Sequence, residues 1–320
     1  MRGLQTAALL ILAVVFLART LSAVREPRSR LSWLASGAGT LALLTLGTAI
    51  PQPVLDGWIG GQNWLNLVQN VLCTVAFWLV TQAAISQDGR SRTLRWWPLL
   101  AALAAFTVPF LFIVDRGSTD YYFIPHRTGQ TAMWLYASIY MATIASISVS
   151  LILGVRGRPA RAYRFFRIGA AIVILACVDE IAYLTIARFN LAPGIVVDVL
   201  YRLFDLFFYV GVILIVAGIA SFTVVRALRM LNLRHKLFWL RRVLLRRGFT
   251  PPPVEDRSDL LGAVYDHVIA IRDRQAMQQL TLIPAELGLV KRSERIISRH
   301  LVSDTPSSSD SYSLSYGASS

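Results

Sequence analysis

Two cysteines in 320 residues exclude a disulfide framework and a thiolate-rich metal site, and both, Cys73 and Cys177, fall inside apolar stretches. Histidine is nearly as scarce. His126, His235, His267 and His300 all lie in polar connectors or the C-terminal tail, so the paired intramembrane imidazoles of a b-type haem protein are missing. No Walker A, GxSxG or HExxH pattern occurs. The expectation is therefore a protein that is not an enzyme, with no cofactor and no resident metal. Charge is sparse as well: 16% of residues are charged, and only two are lysines, Lys236 and Lys291.

What is present is apolar and basic. Hydrophobic residues make up 55% of the chain, mean hydropathy is +0.54, and the formal net charge is +14. A soluble protein so apolar could not cover itself with polar surface, and one so basic would suggest nucleic acid. A bilayer resolves both, because lipid takes the apolar residues while anionic headgroups attract the arginines. No nucleic-acid partner is expected.

Seven apolar stretches approach the ~20 residues needed to cross hydrocarbon. They are Leu4–Ala18 (extendable to Val24), Leu31–Ile50, Leu65–Ser86, Trp96–Val114, Thr131–Val155, Ile168–Ala187 and one ending near Val225. Their connectors alternate in arginine content. Arg25, Arg28 and Arg30 fall on one side with Arg90, Arg92 and Arg95, and with Arg156, Arg158, Arg161, Arg164 and Arg167. The other side takes Pro51–Trp64, which has no Lys or Arg, then Asp115–Gln130, where Arg116 and Arg127 are offset by Asp115 and Asp120, then Arg188–Tyr201. The positive-inside rule gives an all-α, polytopic plasma-membrane protein of seven transmembrane helices, N-terminus outside and C-terminus cytoplasmic, with a short helical cytoplasmic tail. The first stretch reads as an uncleaved helix, since cleavage after Ala23 would strand its arginines outside. Trp58, Trp64, Trp96, Trp97, Tyr121 and Tyr122 stand at stretch ends, where amphipathic rings meet headgroups. Ser36, Gly39, Thr40 and Gly47 form one small-residue packing face, and Gly211 and Gly218 another.

This divides the chain into a transmembrane domain (1–225), a basic juxtamembrane helix with a cytoplasmic helical domain (226–303), and a disordered Ser-rich end (304–320). In the second part Arg226, Arg229, Arg234, Lys236, Arg241, Arg242, Arg246 and Arg247 are interleaved with Leu233, Leu237, Leu240 and Leu244 at helical spacing. That pattern predicts a helix lying flat on the cytoplasmic leaflet, its leucines in the headgroup boundary and its cations on anionic lipid. Pro251–Pro253 break it. A second helix follows, capped by Ser258 or Asp259, and Pro284 suits the first turn of a third.

Intramembrane carboxylates are the main functional pointers, each costing at least ~2.5 kcal/mol at mid-bilayer. Asp179 and Glu180 are such a pair, read as a binding or coupling site; the structural alternative is a carboxyl held by hydrogen bonds. Asp198, Arg202 and Asp205, spaced i, i+4, i+7, share a stripe near the outer boundary and could pair along it. Asn66 and Asn70, flanked by Asn63 and Thr74, and Tyr136 and Tyr140 with Thr143, make two further stripes. Together they suggest an outer vestibule; singly, each could be interhelical glue.

The run Leu237-Phe-Trp-Leu-Arg-Arg, followed by Leu260-Leu-Gly-Ala-Val-Tyr-Asp-His-Val-Ile-Ala-Ile-Arg-Asp, resembles the cytoplasmic end of an actinobacterial family of seven-helix membrane proteins. Thirty arginines against two lysines fit the GC-rich coding of such a source. The resemblance implies a transport role without an assigned substrate. Three functions are therefore open: a small transporter or transport accessory, a membrane sensor signalling to a cytosolic partner through its tail helices, and a scaffold.

Overall fold

The computed structural model describes the chain except residues 1, 26–29, 48, 87–94, 159–160, 255–258 and 305–320. Part of the Arg90–Arg95 connector, Ser258 and nearly all of the Ser-rich end thus lie outside the described residues. Among those described there is no strand. The helices are α1 (Arg2–Arg25), α2 (Arg30–Leu44), α3 (Gln52–Gly57), α4 (Trp64–Ser86), α5 (Trp97–Leu111), α6 (Phe123–His126), α7 (Thr131–Gly154), α8 (Arg161–Phe189), α9 (Gly194–Arg246), α10 (Leu260–Ala276) and α11 (Pro284–Asp304). Each of the seven apolar stretches overlaps one of them.

Among the described residues five helices, α1, α4, α7, α8 and α9, are long and apolar enough to cross a membrane. The stretches containing α2 and α5 are helical over only 15 residues each, about 22 Å at 1.5 Å per residue, against a hydrocarbon thickness of about 30 Å. A turn with Gly47 at φ +80° follows α2, and α5 carries Pro109 in its last turn. Among the described residues, five of the seven apolar segments therefore give helices of spanning length and two give short helices.

The chain separates into two compact units, Met1–Thr223 and Val224–Ser320. In the first, α4 packs against α2, α5 and α7, and residues 76–85 are buried all round the helix without interruption. Elsewhere the outer surface is apolar. Leu10, Val14 and Leu17 of α1 are 59%, 63% and 68% exposed, and Ile168, Leu175 and Val178 of α8 form a similar stripe. Bare apolar stripes of this kind are what a lipid solvent would cover.

Close packing between α8 and α9 depends on two glycines. A Cβ on Gly169 would stand 2.8 Å from the Gly211 carbonyl oxygen, and one on Gly211 2.9 Å from that of Gly169. Gly211 was legible as a small-residue position; its partner was not. Arg19, buried in α1, donates to Ser32 of α2 and to the Ile219 carbonyl of α9 at 3.0 Å, tying three helices together. Arg158 donates to the Ala84 and Ile85 carbonyls at 2.8 and 3.0 Å, satisfying the otherwise orphaned C-terminal end of α4.

The second unit corrects one expectation. Leu233, Leu240 and Leu244 are buried, and Leu237 partly so, but against Leu260, Val264, Val268 and Ile271 of α10 and Val290 and Ile297 of α11. The leucine stripe is the core of a helical bundle and is not available to the headgroup boundary. The physical reason is that α10 and α11 each bring an apolar face of their own, and three such faces bury one another. Asp259 caps α10 by accepting the Gly262 N–H at 2.8 Å, and Phe249 N–H reaches back to the Leu244 carbonyl past Gly248 at φ +77°, a left-handed stop for α9. Arg272, from the Ile271-Arg272-Asp273 run, forks onto Glu294 of α11 at 2.6 and 2.9 Å. His267 is fully buried, its Nδ1 on the Ala263 carbonyl at 2.7 Å. Burial holds its imidazole below the ordinary value.

Candidate functional site

Adjacent residues on a helix point about 100° apart, and α8 shows the consequence. Glu180 turns into the bundle and is 5% exposed, while Asp179 is only half-buried. One oxygen of each, Asp179 Oδ2 and Glu180 Oε2, is enclosed without a hydrogen-bond partner. Glu180 lies within electrostatic range of Asp205 on α9 as well as of Asp179. Glu180 is thus flanked by two other acids, and none of the three forms an ion pair with an Arg or Lys among the described residues.

Tyrosines line this cluster. Tyr183, one turn beyond Glu180, meets Tyr201 with ring centroids 5.5 Å apart, and Tyr209, one turn beyond Asp205, accepts the Gln5 side-chain amide at 3.1 Å. Sequence reasoning missed Gln5, Tyr183, Tyr201 and Tyr209. The available signal was spacing, since Tyr183 is i+3 from Glu180 and Tyr201 and Tyr209 are i−4 and i+4 from Asp205.

The Asp198, Arg202, Asp205 stripe behaves differently from an ion-pair ladder. Among the described residues Arg202 pairs with neither carboxylate; it and Asp198 are exposed, whereas Asp205 is half-buried and faces the tyrosines. Shared helical register put the three on one stripe, but the neighbouring helix covers only part of it.

Asn66, Asn70 and Tyr136 are brought together and spent on one another. Tyr136, wholly buried, donates to Asn66 Oδ1 at 2.7 Å and accepts from Asn70 Nδ2 at 2.7 Å, locking α4 to α7. Tyr140 lies beside Cys73 one turn along α7. The Asn66, Asn70 and Tyr136 bonds act between helices, and Asn66 also lines a small pocket with Gln52, Asn63 and Thr119.

No protein-family model, curated protein or solved structure matches the chain.

A second polar centre, which the sequence reading passed over, organises the connectors. Asp56 of α3 is fully buried and accepts from the Asn63 and Leu65 amides, both at 2.7 Å, and from Thr119 Oγ1 at 2.6 Å, so that it caps α4 and ties down the 112–122 connector. Asn63, at φ 59°, donates to the Arg116 and Ser118 carbonyls at 2.7 and 2.9 Å. Arg116 stacks over Trp64, 4.4 Å from the ring centroid. Asp120 meets His126 at 2.7 Å and Arg127 at 3.6 Å. Partial burial alone would raise its carboxyl, but the Tyr122 N–H, His126 and Arg127 together hold it below the ordinary range. Asp56 has both oxygens satisfied and ties the connectors together, whereas Arg116 Nη1 is enclosed without a hydrogen-bond partner.

The basic residues of α9 divide by their surroundings. Lys236 is buried and donates to the Arg292 carbonyl at 3.1 Å, and Arg247 approaches Glu286 at 3.5 Å. Arg229, Arg234, Arg241, Arg242 and Arg246 are exposed, and the Arg226 side chain lies outside those described. Among the described residues no group of three or more His, Cys, Asp or Glu is arranged to hold a metal ion.

Proposed function

We propose that the chain is a seven-span plasma-membrane protein, N-terminus outside and C-terminus cytoplasmic, acting as a small transporter or transport accessory. Its coupling site is the cluster of Asp179, Glu180 and Asp205, which takes up a proton or a small cation. The observation that carries this reading is Glu180, an enclosed carboxylate with an unsatisfied oxygen, close to two other acids and without an ion-paired Arg or Lys. Carboxylates gathered in a low-dielectric interior cannot all remain ionised unless a proton or cation joins them. The bare apolar stripes on α1 and α8 and the alternating connector charge support the membrane setting. The resemblance of the tail motifs supports a transport role.

The test is ion flux in proteoliposomes. The expected result is a proton- or cation-dependent flux that Glu180→Gln abolishes at unchanged membrane abundance, with Asp198→Asn, an exposed control, retaining it. Full flux in both Glu180→Gln and Asp205→Asn would remove the cluster from the mechanism. Reporters fused after Arg92, Arg161 and Ser320 are expected to score cytoplasmic, and those after Gly61, Gly117 and Pro193 exterior. One inverted connector would overturn the orientation.

A sensor is the second reading, favoured by the separate hydrophobic core of Val224–Ser320, which exceeds what a bare anchor needs. Recovery of a cytosolic partner on this unit that depends on Glu180, in a protein without flux, would select it.

A further inference from the structure

The Val224–Ser320 unit carries a concave basic site that the acidic cluster does not use. His235, Trp239, Arg242 and Arg246 of α9, with Glu286 and Arg292 of α11, line a cavity of about 330 Å³. That is within the range of small-molecule pockets, about 300–1,000 Å³. Its floor is apolar, made by Val243 and Leu289. Trp239 forms a flat wall, with Arg242 stacked 5.3 Å from its ring centroid and His235 edge-on at 6.1 Å. The Lys236 bond to the Arg292 carbonyl fixes α11 beside α9 and so sets the spacing of the guanidiniums.

The cavity wall is net positive, three arginines against the single carboxylate of Glu286. Arg242, Arg246 and Arg292 have no carboxylate partner among the described residues. The one acid on the wall, Glu286, is engaged elsewhere: its Oε2 accepts the Ile283 N–H at 3.1 Å and meets Arg247 at 3.5 Å. Three planar donor forks around one hollow repel one another until an anion enters, and a phosphate accepts such forks two bonds at a time. The aromatic wall and apolar floor add a surface for the organic part of the ligand.

We propose that this cavity binds a phosphate-bearing anion, with Arg246 and Arg292 holding the phosphate and Trp239 the group attached to it. A lipid headgroup and a soluble organic phosphate share this chemistry. The test is calorimetry on the full-length protein in phosphatidylcholine nanodiscs, titrated with inorganic pyrophosphate. Arg246→Gln and Arg292→Gln are each expected to weaken binding about tenfold, the worth of one charged hydrogen-bonded contact. Arg234→Gln, exposed on the same helix but outside the cavity, is expected to leave affinity unchanged.

Discs that also contain phosphatidylinositol phosphate separate the two sources. A fall in pyrophosphate affinity there identifies the lipid headgroup as the occupant, and unchanged affinity identifies a soluble phosphate. Absence of pyrophosphate binding in phosphatidylcholine discs overturns the proposal. An Arg234→Gln loss equal to that of Arg292→Gln also overturns it, because the attraction is then a diffuse surface charge. If Arg292→Gln loses helicity by circular dichroism, Arg292→Lys takes its place: it keeps the charge and removes the fork, and undiminished affinity in that variant refutes the site equally.

Discussion

Truncating Leu240 to alanine tests whether the leucine stripe of α9 belongs to a protein core or to a lipid surface. Leu240 is 0% exposed and packs in the cluster formed with α10 and α11. Removing three carbons forfeits about 2.4 kcal/mol at ~0.8 kcal/mol per buried methylene. The cavity left behind brings the cost to about 3 kcal/mol, inside the range measured for core leucines. Amides of α10 and α11 that exchange through opening of this unit should then lose roughly a hundredfold of their hydrogen-exchange protection, measured on the full-length protein in nanodiscs. Leu231→Ala supplies the internal control. Leu231 is 60% exposed on the same helix, and its truncation is expected to change stability by less than about 0.5 kcal/mol. The reasoning fails if Leu240→Ala leaves protection of α10 and α11 intact, because the stripe would then be packing against something other than the bundle.

Two further outcomes follow from named contacts. The Arg272 fork holds the Glu294 carboxyl below its ordinary value of 4.5, so this pair stabilises the second unit fully above that pH and loses its effect as pH falls through the lowered folded value. Both side chains are 36% exposed, so Glu294→Gln is expected to cost under about 1 kcal/mol at neutral pH, and the difference from wild type should vanish in acid; chemical denaturation at both pH values checks this. At the α8–α9 contact, Gly211→Ala places a Cβ 2.9 Å from a backbone oxygen and is expected to destabilise the first unit by about 1–3 kcal/mol, whereas Gly3→Ala, with open space around it, should be neutral in the same thermal-unfolding assay.

Helical periodicity, apolar run length and connector charge are local properties, and they are why the helical class and the seven apolar segments were readable without coordinates. The cap at Asp259 and the start of α11 at Pro284 were readable for the same reason, since a cap acts within one turn. Run length exceeded helix length at α2 and α5, where a left-handed Gly47 and an internal Pro109 intervene. In the candidate site, Asp179 and Glu180 stood out because a carboxylate in an apolar run is conspicuous, and Asp205 through its helical spacing from Asp198 and Arg202 at the outer boundary. Which of them turns inward was not evident.

That choice belongs to tertiary structure, because a residue's burial depends on chain segments far away in sequence. Glu180 is enclosed and Asp179 half-exposed because only one of two directions around α8 faces the bundle. Asn66, Asn70 and Tyr136 became a closed hydrogen-bonded lock because α7 brings the tyrosine to α4 across nearly seventy residues. An amphipathic helix likewise declares that it has an apolar face without declaring what covers it. The sequence by itself determined the stripe Leu233, Leu237, Leu240 and Leu244, and only the fold decided that α10 and α11 bury it, with the exposed arginines left around a cavity of their own.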